Sequence, residues 1–305
     1  MQPHDPGHRH ENPAAAGNAG EQQRRLGLIL LLTLTFMVVE AAGGVISGSL
    51  ALLADAGHML SDASAILLAL GAVWLSRQET TLRRTFGFRR AEFLAAFVNA
   101  IALVALAVWI VFEAVERMAA PRPVLGGLML AVATAGLVVN LVGILLLRRH
   151  AASSLSIKSA LWHLSGDLLG SIGAVAAAVV IQLTGWTRID PLLSLAIAAL
   201  IGAAGGRILY DSANLLMDRV PKEIDAEEVR RFLTAYPDVQ QICDLHIWGV
   251  SSSETMLTAH LVVQPKVDRD ALLHRLLAAL QQRFELAHMT VQLESQPHAS
   301  CPEAW

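Results

Sequence analysis

Charged residues are scarce in this chain. Only 16% of the 305 residues are charged, whereas 54% are hydrophobic, and the mean hydropathy is +0.50. Soluble globular domains contain about 25% charged residues, so the composition excludes an ordinary soluble protein. The net charge of −3 also lacks the basic excess that nucleic-acid binding requires. The composition predicts a protein of the lipid bilayer with a soluble part and no nucleic-acid partner.

Cysteine and the motifs of several enzyme classes are also lacking. Cys243 and Cys301 are too few for a disulfide scaffold. No G-x-x-x-x-G-K-[S/T] phosphate loop occurs, so nothing indicates ATP hydrolysis. No His-Glu-x-x-His motif occurs, which argues against an intramembrane metalloenzyme. The sequence thus gives no sign of a hydrolytic energy source.

The few charges are unevenly distributed. Residues 26–216 hold 22 of the 49 charged residues, and residues 221–305 hold 19. The second stretch has the charge density of a soluble domain. We expect a flexible cytoplasmic N-terminus over 1–25, a membrane domain over 26–216, a cytoplasmic domain over 217–296 and a tail over 297–305.

The uncharged runs have the length of membrane-spanning helices, about 20 residues. Phe93–Phe112 and Pro123–Leu147 are two such runs, and Leu26–Ser76 is long enough for two helices that break at the glycines 43–44 and 48. Six helices are predicted, at about residues 26–47, 50–76, 92–116, 123–147, 158–184 and 191–215. Arginines concentrate in alternate connections, so the positive-inside rule predicts that both termini are cytoplasmic.

Two predicted spans each carry a His-x-x-x-Asp pair. His58 and Asp62 lie in the second span, and His163 and Asp167 lie in the fifth. Residues four apart share a helix face, and ionisable residues inside a bilayer are costly and usually functional. Two facing pairs would offer two imidazoles and two carboxylates, a tetrahedral set that suits Zn²⁺. Two separate structural ion pairs are the alternative.

Two further acidic residues lie in the first two spans. Asp55 precedes His58 by three residues on nearly the same face, so we expect it to support the site or to lie on the ion path. Glu40 in the first span is expected to be a polar packing or path residue.

Longer motifs around these residues resemble the cation diffusion facilitators, zinc exporters with six spans and a cytoplasmic C-terminal domain. The motifs are Ser49–Asp62, Thr85–Glu92, Ser159–Asp167, Asp244–Trp248 and Met289–Glu294. The resemblance covers about residues 25–296. It implies a zinc/proton antiporter that works as a homodimer, with both His-x-x-x-Asp pairs as ligands of the transported ion.

The resemblance also implies charged contacts that hold the dimer at the cytoplasmic face. Arg90 and Asp218 match these contacts, although a surface arginine and a helix-end charge would look the same. Some relatives have a histidine in the segment that matches Thr85–Glu92, where this chain has Arg89 and Arg90. We therefore predict no metal site in that loop.

The last part of the chain alternates between helix and strand patterns. Helices are predicted over Asp225–Tyr236 and Asp268–Glu285, with Asp225 and Asp268 as their N-caps. Strands are predicted over Gln241–Val250, Glu254–Gln264 and Met289–Glu294. The order αββαβ indicates a ferredoxin-like α+β domain of the metallochaperone type. It matches what the resemblance implies.

This domain also carries possible ligands for regulatory zinc. The candidate set is Cys243, His260, His288 and Glu294, and a dimerisation domain with scattered surface histidines is the alternative. Relatives usually have a histidine where Cys243 stands. A reducing cytoplasm would keep the thiols available, and a thiolate favours zinc or copper(I). The N-terminal residues His4, His8 and His10 indicate a tail, or weak metal capture.

The chain is thus predicted to be a secondary transporter and not an enzyme. It would export zinc, and also cadmium, in exchange for protons, because metal and protons compete for the same histidines and aspartates. Arginine far outnumbers lysine, which is typical of GC-rich bacteria and favours the bacterial inner membrane. Exporters of manganese, iron, cobalt or nickel, and a membrane metal sensor, are the alternatives.

Overall fold

A computed structural model describes residues 13–148 and 155–297 of the protein. The predictions for His4, His8, His10 and Cys301 lie outside these residues. Six long helices precede a short α+β segment. The elements are α1 (Pro13–Ser47), α2 (Leu50–Ser76), α3 (Ala91–Ala119), α4 (Gly126–Arg148), α5 (Leu155–Thr184), α6 (Ile189–Leu216), α7 (Ala226–Thr234), β1 (Val239–Ser251), β2 (Glu254–Val263), α8 (Arg269–Phe284) and β3 (His288–Glu294).

The helices α2 to α6 are long and apolar enough to cross a membrane, and α1 contains a shorter apolar stretch, Leu31–Ser47. Large hydrophobic side chains are exposed along them, among them Leu67, Phe112 and Leu200. This exposure is expected where lipid replaces water as the solvent. The prediction of a six-helix membrane protein followed by an α+β domain is confirmed.

Helix α1 differs from its prediction at its start. It begins at Pro13, inside the stretch predicted to be flexible, where alanine, glutamine and glutamate favour a helix. It ends at Ser47, as predicted, and Gly43 and Gly44 lie inside it. The chain turns at Gly48, whose φ of 74° favours glycine.

The chain divides into two compact units. The first comprises Met1–Ala63 and Ala102–Ala203. Its hydrophobic core includes Phe36, Leu52 and Met129. Small residues bring its helices close together: a Cβ on Gly44 would lie 2.9 Å from Cγ of Leu53 and 3.1 Å from its backbone nitrogen. The two glycines at 43–44 therefore serve helix packing rather than a turn.

The second unit comprises Ser64–Ile101 and Ala204–Trp305 and contains the α+β segment. Its sheet has the order β1-β2-β3, with β1 and β2 antiparallel and β2 and β3 parallel. Helix α7 begins after Asp225, whose Oδ1 accepts hydrogen bonds from the backbone nitrogens of Glu227 and Glu228. Asp268 caps α8 in the same way through the nitrogen of Ala271. Both caps are the ones predicted, and the order αββαβ is confirmed.

The close approach at Gly44 leads to a stability prediction. We expect Gly44→Ala to lower the free energy of unfolding by about 1–3 kcal/mol, because the added methyl group meets the backbone of Leu53. Gly71→Ala is the matched control, since a Cβ at Gly71 has no neighbour within 4 Å and alanine favours helix. Thermal unfolding in detergent measures both. An equal or higher midpoint for Gly44→Ala would contradict the packing argument.

Candidate metal site

Helices α2 and α5 bring their two His-x-x-x-Asp pairs together. His58 Nε2 lies 3.6 Å from Asp62 Oδ2 on α2, and His163 Nε2 lies 3.5 Å from Asp167 Oδ2 on α5. Between the helices, His163 Nε2 lies 3.3 Å from the same Oδ2 of Asp62. The imidazole rings of His58 and His163 are 6.0 Å apart and meet edge to face. His163 thus lies beside both aspartates, and His58 lies beside Asp62.

The donor atoms are close enough to share one ion. His58, His163 and Asp167 each offer a ligand atom within 4.8 Å of the other two. Asp62 Oδ2 lies beside both histidines, so it can serve as the fourth donor. Two nitrogens and two oxygens can hold a divalent cation without a ligand from any other element.

Several polar atoms at this point are buried without a hydrogen bond. Among the described residues, none donates to Oδ2 of Asp62 or Asp167, and none pairs with Nδ1 of His58. Asp167 is only 6% exposed. A buried polar atom without a partner costs about 1–3 kcal/mol, and a native structure needs a reason for it. A cation bound between the four residues would supply that reason for both carboxylates.

The two accompanying acidic residues lie beside the four and not among them. The carboxyl groups of Glu40 on α1 and Asp55 on α2 are neighbours. A Cβ at Gly170 on α5 would lie 3.8 Å from Oδ1 of Asp55, an ordinary contact distance, so α5 packs directly against Asp55. Glu40 is 2% exposed, and its Oε2 has no hydrogen-bond partner in the part of the chain that the structure describes. Both residues therefore stay predicted supporting or path residues.

One buried acidic residue was missed in the sequence. Asp190, in the first turn of α6, is fully buried and accepts hydrogen bonds from Ser49 and the first residues of α2. In the sequence, Asp190 lies in the short segment between the fifth and sixth predicted spans, where Arg188 is the only other charged residue. Ser49 directly before an apolar helix is a typical N-cap, and that signal could have pointed to a polar partner.

The charged residues of the second unit form pairs within the chain. Arg90 Nη2 donates to Oδ1 of Asp218, and Arg89 Nη1 donates to Oε2 of Glu254 in β2. Both arginines of the loop are therefore engaged by carboxylates. A role of Arg90 and Asp218 in a dimer stays a prediction.

The four candidate ligands of the α+β domain do not meet at one site. His260 Nδ1 lies 3.7 Å from Glu294 Oε1, so these two are neighbours. His260 is in register with Gln292, and His288 is four residues before it in β3, about 13 Å away at about 3.3 Å per residue. Cys243 is disulfide-bonded and hence not a thiolate. Of the predicted set, the structure brings together His260 and Glu294, and a zinc site at this pair stays a prediction.

Comparison with known proteins matches both parts of the chain. The family of the "Cation efflux transmembrane domain" matches residues 26–217. The family of the "Cation efflux protein, cytoplasmic domain" matches residues 221–296. These two matches account for all but the ends of the chain.

Individual relatives match over nearly their whole length. The zinc transporter ZitB of Escherichia coli is 44% identical over 292 residues, covering 95% of this chain and 93% of the relative. The metal cation efflux system protein CzcD of Cupriavidus metallidurans is 37% identical over 95% and 90%. A cadmium, cobalt and zinc/H(+)-K(+) antiporter of Bacillus subtilis is 35% identical over 92% of each chain. Long apolar helices, the paired motifs and these matches together show an integral membrane transporter, not an enzyme, that belongs to the cation diffusion facilitator family of cation efflux proteins.

Proposed function

We propose that this protein exports zinc, and also cadmium, from the cytoplasm in exchange for protons. The transported ion binds His58, Asp62, His163 and Asp167. The observation that carries the proposal is the set of close contacts among these four side chains, which come from two long apolar helices. The names of the ZitB and Bacillus relatives support zinc, and the latter also names cadmium.

The spacing of the donors supports zinc. Four ligands about 2.0 Å from a tetrahedral ion lie about 3.3 Å from one another. Three of the four nitrogen–oxygen separations among these side chains are 3.3, 3.5 and 3.6 Å. Manganese prefers six oxygen ligands, which this pair of imidazoles and pair of carboxylates does not provide. Zinc and cadmium are therefore favoured over harder ions.

Proton exchange follows from the same ligands. Metal binding requires neutral histidines and ionised aspartates, so a proton on any of the four opposes the metal. We assign Glu40 and Asp55, which are neighbours beside the site, a supporting role on the ion path.

The remaining assignments concern the assembly around the site. We infer a homodimer in the bacterial inner membrane, with both termini in the cytoplasm and the domain over 217–296 also there. Arg90 and Asp218 support the dimer at that face. The pair His260 and Glu294 supports a regulatory zinc site, since imidazole and carboxylate are both zinc ligands and lie 3.7 Å apart.

Removing one carboxylate should abolish transport. We expect Asp62→Asn and Asp167→Asn each to lower zinc flux by at least about 100-fold, because the site has no spare ligand. Asp211→Asn is the control, since Asp211 pairs with Lys222 outside the site. Flux is measured with purified protein in liposomes, with Zn²⁺, Cd²⁺, Mn²⁺, Fe²⁺, Co²⁺ and Ni²⁺ as alternative substrates. Wild-type zinc flux in either variant would refute the ligand assignment, and a preference for Mn²⁺ or Fe²⁺ would refute the assignment of substrate.

The proposed coupling predicts a response to a pH gradient. Zinc should enter liposomes faster when their lumen is acidic, because outgoing protons exchange for incoming metal. A protonophore should remove this acceleration, and the lumen should become less acidic as zinc enters. Entrapped zinc and pH indicators measure both ions at once. Zinc flux that ignores the gradient would identify a uniporter or a channel.

The pair in the α+β domain should modulate transport and not carry it. We expect the double variant His260→Ala with Glu294→Ala to bind less zinc and to transport at a reduced rate, within about tenfold of wild type, because its metal is not the cargo. His274→Ala, a change of an exposed histidine on α8, is the control. Complete loss of flux from an intact dimer would assign this pair to the transport path instead.

A further inference from the structure

Helix α2 begins on a buried carboxylate from another helix. Asp190 in the first turn of α6 is 0% exposed. Its Oδ1 accepts hydrogen bonds from the hydroxyl of Ser49 at 2.6 Å and the backbone nitrogen of Ala51 at 3.2 Å. Its Oδ2 accepts one from the backbone nitrogen of Leu50 at 2.7 Å. Both oxygens are thus engaged by the N-terminal end of α2.

An arginine from a third helix completes this contact. Arg117 near the end of α3 lies with Nη1 4.0 Å from Oδ2 of Asp190 and donates to the carbonyl oxygen of Gly48 at 2.5 Å. Its Nε donates to Glu113 at 2.9 Å. A negative charge at a helix N-terminus is favourable, and charge-assisted hydrogen bonds in a buried place are strong. The N-terminal end of α2 is therefore held by hydrogen bonds and by the charges of Asp190 and Arg117.

The fixed end lies on the helix that carries half of the proposed site. His58 is eight residues beyond Leu50, about 12 Å along the helix axis, and Asp62 is about 18 Å along it. The other two ligands are on α5, which ends at Thr184 and is joined to α6 by residues 185–188 alone. Asp190 thus connects the start of α2 to the helical hairpin that carries His163 and Asp167.

We propose that Asp190 is a positioning residue that sets the position of α2 along its axis relative to α5. The two His-x-x-x-Asp pairs then lie at the same height along the two helices. Sliding α2 by one residue would displace His58 and Asp62 by about 1.5 Å, against donor separations of 3.3 to 3.6 Å. Such a displacement weakens metal binding even when the fold persists. This inference rests on the proposed function, because it needs the four residues to bind the transported ion.

A cap that only stabilises the fold would behave differently. It would reduce the amount of folded transporter, and thus the maximal rate, while each folded molecule kept its affinity for zinc. A positioning residue changes the affinity itself, and changes the relative affinity for zinc and the larger cadmium ion. The two roles therefore separate in the apparent KM and in direct binding.

The test uses Asp190→Asn and Ser49→Ala, with Glu116→Gln as control. Asparagine keeps the size of the residue and one acceptor oxygen but removes the charge, whereas Ser49→Ala removes only one of the three hydrogen bonds to Asp190. Glu116 is an exposed residue of α3 that pairs with Arg122. Full-length protein is purified as folded material. Zn²⁺ and Cd²⁺ binding is measured by calorimetry. The share of this binding that is lost in Asp167→Asn is assigned to the proposed site between α2 and α5.

For Asp190→Asn we expect zinc affinity per folded molecule to fall, and the apparent KM for flux to rise, by on the order of tenfold to 100-fold. Ser49→Ala should change both in the same direction by less, and Glu116→Gln should change neither. Unchanged affinity and unchanged zinc-to-cadmium ratio in Asp190→Asn would overturn the positioning role, whatever happens to the maximal rate. If Asp167→Asn removed none of the zinc binding seen in the wild-type protein, the proposed transport site would be refuted. This inference rests on that site and would be refuted with it.

Discussion

Every carboxylate inside an apolar helix bundle must be compensated, and this requirement shapes the membrane part of the protein. An uncompensated buried charge costs several kcal/mol, so each such residue needs hydrogen bonds, an opposite charge, a proton or a metal ion. Asp190 and Asp167 are both buried, at 0% and 6% exposure. They meet the requirement in opposite ways, and the difference separates a carboxylate that the protein itself compensates from one that is left for the proposed cation or proton.

Asp190 is compensated entirely by the protein. Two backbone nitrogens, the Ser49 hydroxyl and the nearby guanidinium of Arg117 surround it, so no ligand is needed. Asp167, by contrast, has an oxygen with no hydrogen-bond donor among the described residues, and so has Asp62. These two carboxylates remain costly until a cation or a proton arrives. Such incomplete compensation is what an exchange site requires, because either species stabilises the site and neither needs to be permanent.

How much of this was predictable depends on the range of each interaction. The i,i+4 pairs, the helix caps at Asp225 and Asp268 and the strand order depend on neighbouring residues, so local pattern rules found them. The contact between Asp190 and Ser49 joins residues 141 positions apart and has no pattern of its own. The separation between His260 on β2 and His288 on β3 was not predicted, for a similar reason. Pairing of β2 with β3 is parallel, and its register was not evident from either strand alone.

The same charge types act differently in the second unit, because there they are exposed. Arg89 and Arg90 are 41% and 42% exposed and pair with Glu254 and Asp218. Exposed ion pairs contribute about 0–1 kcal/mol each and are screened by salt, so they orient the loop before α3 more than they stabilise it. The buried contact at Asp190 is neither screened nor easily replaced by water. A chain with few charges thus has a buried, rigid contact at the start of α2 and weaker, exposed pairs at Arg89 and Arg90.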